Sequence, residues 1–390
     1  MIKERVMSKR LYSLITLVAT LFLILTSCAP GDGPTPAPAA TPASVQPASP
    51  LPAAKAISPE ETAWAAIVEA AKKEGKVTLY SYNFTGEIGQ ALSQAFKEKY
   101  GITADIITGR GTEFVERVKT EKRMGRLVAD MTDGAAAHGK IMKKEGLTAG
   151  IAGELPGLRE KDTWVADIFS MDPQDKHLIA FNLSIYTPYV NTQLVKPGEE
   201  PRTWKDLLDP KWKGKMVMTD TITSAGPYQV VVPLLREKVI DEAFLKNLYK
   251  QDLRFSVSDP EGGSILARGE RSLSIRGIDR TYGRIIVEGA PIRAIELTDG
   301  TVLILGIVAA FNGGPHPNAT KVFINWFLSN EGQTVYGKAA TVASIRKDVP
   351  NFLPKAAQIP LTHPILLTDD DTEKATKLYQ ERWLDKLWGR

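Results

Sequence analysis

From about residue 60 onward the sequence predicts an α/β protein built on parallel sheet with helices on both faces, divided into two lobes. Three observations lead there. Short apolar runs of strand length alternate with amphipathic stretches of about 10 to 15 residues, the order that βαβ units produce. The patterned part is about 330 residues long, more than a single hydrophobic core usually supports. Before it, composition changes so sharply that folding must begin near Pro59.

The first 27 residues read as a lipoprotein-type export signal. Lys3, Arg5, Lys9 and Arg10 precede the apolar stretch Leu11–Leu25, and Thr26 and Ser27 lead into Cys28, the chain's one cysteine. That stretch is too short to span a bilayer, which takes about 20 residues at 1.5 Å each. The expectation is removal of residues 1–27 and lipidation of Cys28, leaving the rest outside the cytoplasm, in the periplasm or at the cell surface. Residues 28–59, rich in Pro and Ala with almost no large apolar side chain, bury too little to offset ordering and read as a flexible tether. Without further cysteines there is no disulfide, cysteine-based zinc site or thiol nucleophile. Lys+Arg at 49 and Asp+Glu at 45 nearly cancel, which argues against nucleic-acid binding.

Ser58-Pro59-Glu60-Glu61 supplies a cap, a first-turn proline and acids, so a helix runs from there to Gly75 with Trp64, Ile67, Val68 and Ala71 on one face. Val77–Tyr80 reads as a buried strand, Gly89–Tyr100 as an amphipathic helix, Ile102–Thr108 as a second strand and Thr112–Met124 as a helix. Lobe 1 is expected over 60–180 and lobe 2 over 181–292, with a helix opened by Thr203–Leu208 and strands at Met216–Met218 and Ser272–Arg276. Val302–Ala309 reads as a strand within a return to lobe 1 over 293–316. Residues 317–390 are read as helices packing on the lobes, the stripe Val322, Phe323, Trp326 and Phe327 serving as core.

Several runs carry a resemblance: Lys76–Tyr82 (KVTLYSY), Phe96–Ile102 (FKEKYGI), Pro201–Lys215 (PRTWKDLLDPKWKGK), Pro315–Lys321 (PHPNATK) and Val322–Gln333 (VFINWFLSNEGQ). Between about residues 62 and 350 the chain resembles extracellular solute-binding proteins of ABC importers, in the branch containing ferric-ion and small-anion binders. The resemblance implies a type II periplasmic-binding-protein fold: two α/β lobes, crossing hinge strands near 180–191 and 293–306, and a ligand cleft between them. It also implies a membrane permease as partner, a monomer as the working form, and capture without catalysis or cofactor.

In open α/β sheets ligands sit beyond the carboxyl ends of the strands, where helix N-termini offer free N–H groups. The turns expected there supply the candidate ligand residues. Ser81, Tyr82, Asn83 and Thr85 follow the first strand, Arg110, Gly111 and Thr112 the second, and Asp133 the third. Thr223, Ser224 and Gly226 come from the second lobe, with Arg276 at a strand end and Tyr282 beyond it. Arg268, Arg271, Arg276, Arg280 and Arg284 make that stretch basic and favour an anion, whose oxygens guanidinium groups fork bidentately. Hard ferric iron favours phenolate oxygen, but no two tyrosines are adjacent; an iron site would draw on Tyr82 and Tyr282. A secreted enzyme and a sensory binding module are the other readings of this scaffold. The run Gly134–Lys140 lacks the Ser or Thr that a phosphate-binding loop places next, and the four histidines show no zinc spacing. His316, between prolines, reads as a structural turn.

Overall fold

The computed structural model describes residues 58–390. The expected leader, Cys28 and all of the tether before Ser58 lie outside the described residues. Helix α1 (Pro59–Glu74) is capped reciprocally. The Ser58 hydroxyl accepts from the Glu61 N–H at 3.1 Å, and the Glu61 carboxylate accepts from the Ser58 N–H at 2.7 Å. Gly75 ends the helix at φ 74°, a left-handed conformation suited to glycine. Then come β1 (Lys76–Ser81), α2 (Glu87–Tyr100), β2 (Thr103–Thr108), α3 (Gly111–Arg123), β3 (Met131–Ala135), α4 (Ala136–Lys144) and the short β4 (Thr148–Ala149). Strand β1 lies parallel between β2 and β3, so α2, α3 and α4 all start along one sheet edge.

Strand β5 (Ile179–Asn191) crosses into the second half. There β6 (Met216–Thr219), α5 (Gly226–Arg236), α6 (Glu242–Tyr249), β7 (Arg254–Ser256), α7 (Asp259–Ala267), β8 (Leu273–Ile278), α8 (Asp279–Val287) and β9 (Ile292–Ala294) repeat the alternation, with β6 parallel to both β7 and β8. Strand β10 (Thr301–Phe311) returns. Helices α9 (Pro317–Phe327) and α10 (Asn330–Ala340) pack on α1 and α2, and β11 (Pro364–Leu366), α11 (Asp369–Gln380) and α12 (Trp383–Trp388) end the chain, α11 lying against α5.

The sheet is mixed where a parallel one was expected. Its order is β2-β1-β3-β10-β5-β8-β6-β7, and β10 runs antiparallel to both β3 and β5. A chain that crosses between halves and comes back must reverse direction, and the two crossing segments then pair with each other. Both are buried along almost their whole length. Irregularities interrupt them at Thr187/Tyr189, beside Pro188, and at Gly306/Ile307, as bulges do where a strand bends. Two other expectations fail because of proline. Thr203–Leu208 makes only a 3-10 turn over Lys205–Leu208, bracketed by Pro201 and Pro210. Between Ala340 and Asp369 the chain is mostly irregular, broken by Pro350, Pro354, Pro360 and Pro364.

The larger apolar core fills the first half and reaches Leu266, Tyr282 and Ile292 of the second, and a separate core lies in the second half. In the first, Phe84, Phe327 and Tyr336 meet edge to face with centroids 5.0 to 5.8 Å apart, and Val322, Phe323, Trp326 and Phe327 of α9 are buried beside them. The second gathers Trp204, Trp212, Met216, Met218, Tyr228 and Trp388. His316 is structural: its N–H donates to Asp130 Oδ1 at 2.6 Å, and Nδ1 lies 2.9 Å from Asp130 Oδ2.

Candidate functional site

A cavity of about 550 Å³ opens between the halves beyond the carboxyl ends of their strands. The β1–α2 turn contributes Tyr82, Asn83 and Thr85, and α7 contributes Ser264. Arg280, Thr281 and Arg284 come from α8, and Glu288 caps its C-terminal end. One hydrogen bond joins the two sides: Arg280 Nη1 donates to Asn83 Oδ1 at 2.9 Å. Asn83 is held in turn by Asp133, whose Oδ2 accepts from the Asn83 N–H at 3.0 Å and Nδ2 at 2.7 Å. Ser81 lies under the same turn and accepts from the Phe84 N–H at 2.8 Å.

Two buried carboxyl groups stand behind Arg280. Burial pushes Asp133 up to about 6, against hydrogen bonds from Ser81 and Asn83 and the Arg280 charge. Burial likewise raises Asp279 to about 6, although the N–H groups of Arg280 and Ile185 and the Arg280 charge oppose it. In each, one oxygen (Asp133 Oδ1, Asp279 Oδ2) has no hydrogen-bond partner among the described residues. Neither carboxyl lines the cavity.

The other sequence candidates sit elsewhere. Arg276 lies inside β8, 4% exposed, ion-paired with Asp259 and stacked 4.7 Å above the Tyr186 ring. Its guanidinium fills the space a side chain at 226 would need, which accounts for Gly226. Tyr282 is buried against Tyr189, ring centroids 4.6 Å apart, with its hydroxyl 2.8 Å from Ser274 Oγ. Burial drives its pKa up, which keeps the phenol protonated. Arg110 is exposed at the start of α3, 4.0 Å from Glu113; Thr112 is exposed beside it, and Gly111 makes room for the His138 ring. Thr223 and Ser224 belong to the β6–α5 turn, where Ser224 Oγ accepts from the Gly226 N–H at 3.1 Å. That turn is buttressed from the C-terminus: Thr221 Oγ1 donates to Asp385 Oδ1 at 2.6 Å, and Arg390 pairs with Asp220 at 3.1 Å. None of these lines the cavity.

Of the residues expected from sequence, the structure thus gathers Tyr82, Asn83 and Thr85 at the cavity, with Ser81 and Asp133 beneath. Missing from that set were Ser264, Arg280, Thr281, Arg284 and Glu288. The signal for three of them was present: Arg280, Arg284 and Glu288 recur every four residues and share one face once Asp279 is read as a helix start. Among the described residues no group of three or more His, Cys, Asp or Glu side chains is arranged to hold a metal. A larger cavity, about 700 Å³, lies in the segment between β4 and β5 around Trp164, Ile168 and Phe169. No strand-to-helix turn contributes to it.

A family profile described as bacterial extracellular solute-binding protein matches residues 91–361. The candidate 2-aminoethylphosphonate-binding periplasmic protein of Salmonella typhimurium is 24% identical over 291 residues, 71% of this chain and 80% of that one. Among solved structures, a periplasmic binding protein from Actinobacillus pleuropneumoniae with exogenous fructose-6-phosphate bound superposes with a TM-score of 0.61. It is 22% identical and covers 80% of this chain and 98% of its own. A Trichodesmium protein in complex with iron and citrate reaches a TM-score of 0.66 at 19% identity, covering 81% and 99%. At such identities the likeness is one of fold: two α/β lobes, crossing strands and a cleft between them.

Proposed function

Because this chain belongs to the bacterial extracellular solute-binding proteins, the capture components of ABC importers, we propose that it is lipid-anchored through Cys28 and binds a small solute by an acidic head group. The observation that carries this reading is Arg280, which reaches across the cleft to Asn83 with Arg284 beside it in the cavity. Guanidinium donors on one wall face the hydroxyl and amide groups of Tyr82, Asn83 and Thr85 on the other. Solute held by one wall gains the second wall's contacts when the lobes close, so it shifts the population toward the closed form by its differential affinity. The crossing strands β5 and β10 serve as hinge. The closed body, a monomer, then meets a membrane permease on a separate chain.

The similarity to a candidate phosphonate binder supports an anionic head group. Ferric iron finds less support, since Tyr282 spends its hydroxyl on Ser274 and only Tyr82 of the two faces the cavity. Asp133 and Asp279 have the perturbed acidity of catalytic acids. Both stand behind Asn83 and Arg280, out of reach of a bound solute, and the family is one of binding proteins. The test is titration calorimetry of the detergent-purified full chain with ethylphosphonate, 2-aminoethylphosphonate, inorganic phosphate and ferric citrate. At least one of the first three is expected to bind saturably, with at least tenfold loss in Arg280→Ala. Binding of ferric citrate alone overturns the reading. Cys28→Ala is expected to move the protein from the membrane to the soluble fraction; retention on the membrane overturns the anchor.

A further inference from the structure

The charge arrangement inside the cleft narrows the solute further. The sequence offers five arginines between 268 and 284, but folding takes most of them out of play. Arg268 pairs with Glu270, Arg276 with Asp259, and Arg271 donates to the Glu270 carbonyl oxygen. Arg280 and Arg284 remain for a ligand, and Arg280 already faces the carboxyl groups of Asp133 and Asp279. The wall thus keeps two guanidinium groups for an acidic head group. At the C-cap of α8, one helical turn beyond Arg284, Glu288 also lines the cavity.

Arg284 and Glu288 stand four residues apart, about 6 Å along the helix axis. Among the described residues neither makes a side-chain hydrogen bond or ion pair. Their order matters: a base preceding an acid by four residues is the weaker orientation for pairing on a helix. Both charges are thus left facing the cavity, one of each sign.

We propose that the solute is a zwitterion, with an acidic group on Arg280 and Arg284 and an ammonium group on Glu288, joined by a short spacer. This rests on the anion-binding reading above and adds the cationic end. The probes are 2-aminoethylphosphonate and ethylphosphonate, which share the acid and differ in the ammonium group, titrated into the full chain and into Glu288→Gln. The expected result is binding at least tenfold tighter for the amino compound in the native protein, with that preference shrinking to threefold or less in Glu288→Gln because the amino compound is held more weakly, while ethylphosphonate, which meets one negative charge fewer, binds no more weakly than before. Equal affinity for the two probes, or a preference that survives Glu288→Gln, overturns the zwitterion and leaves the anion reading standing. Failure of both probes to bind overturns the zwitterion, and failure of inorganic phosphate as well overturns the anion reading itself.

Discussion

The two turns that close the cleft edge of the sheet are held in opposite ways. In the first lobe the β1–α2 turn is fixed from within, by Ser81 on the Phe84 N–H and by Asp133, on the neighbouring strand of the same sheet, on Asn83. In the second lobe the β6–α5 turn is fixed from outside. Asp385 and Tyr379 of the last helices, and Arg390 just after them, hold Thr221, the Ile222 carbonyl oxygen and Asp220. Those helices lie beyond residue 361, where the family match stops. One lobe carries its own scaffold and the other borrows it from an appended segment. Damage to the C-terminus should therefore be felt as lost stability in the second lobe, and damage at Asp133 as altered behaviour of the cleft.

The largest effect is expected from Trp388→Ala. Its ring stacks on Tyr249 at 5.3 Å, Nε1 donates to the Leu245 carbonyl oxygen at 2.9 Å, and the side chain lies in the second core. Removing a buried tryptophan costs about 3–5 kcal/mol, readable by denaturant unfolding. A loss below about 1 kcal/mol would mean that the second lobe stands without its C-terminal cover.

Next in size is a pH effect in the first lobe. Asp133 is raised to about 6 in the folded protein, against about 3.9 unfolded. The folded state holds that proton more tightly, so the group's contribution to stability is full at low pH and is lost as pH rises from about 4 through 6, by roughly 3 kcal/mol. Asp133→Asn cannot titrate, so its stability relative to the native protein should climb across that window. Parallel unfolding midpoints of the two proteins from pH 4 to 7 would contradict the burial assigned to Asp133.

A smaller loss is expected at the joint itself. Asp385→Ala strands the buried Thr221 hydroxyl and deprives Arg390 of a second acid 3.7 Å away, which should cost about 2–3 kcal/mol. Solute affinity should stay within threefold, because the β6–α5 turn does not line the cavity. A large affinity change with little change in stability would reverse the comparison and return Thr223 and Ser224 to the binding wall.

How much of this was legible in the sequence follows the same division. Caps, strands and helices of the first lobe are set by neighbours in the chain, such as Ser58 with Glu61, and local patterns report them. The core stripe on α9 was equally plain from its spacing. The mixed sheet was not, because pairing between β5 and β10 is decided by where a distant segment returns. The same limit explains the site. Tyr82, Asn83 and Thr85 follow a strand in an obvious turn, whereas choosing Arg280 over Arg276 requires knowing that Asp259 reaches one and not the other. Asp259 and Arg276 meet only once α7 packs beside β8.

Arg110 tests that lesson with the smallest expected effect. Between two glycines at a strand-to-helix turn it has the sequence features of a ligand arginine, yet its side chain is 83% exposed and makes only a loose contact with Glu113. An exposed pair of that kind contributes about 0–1 kcal/mol, so Arg110→Ala should leave unfolding within about 0.5 kcal/mol and solute affinity within twofold. Arg280→Ala, four residues beyond the better hidden Arg276, should lose at least tenfold under the same titration. If instead Arg110→Ala weakens binding as much as Arg280→Ala does, lobe closure must carry the start of α3 onto the solute. The binding wall of the first lobe would then extend from β1 to β2, and its self-contained scaffold would include the turn that now faces solvent.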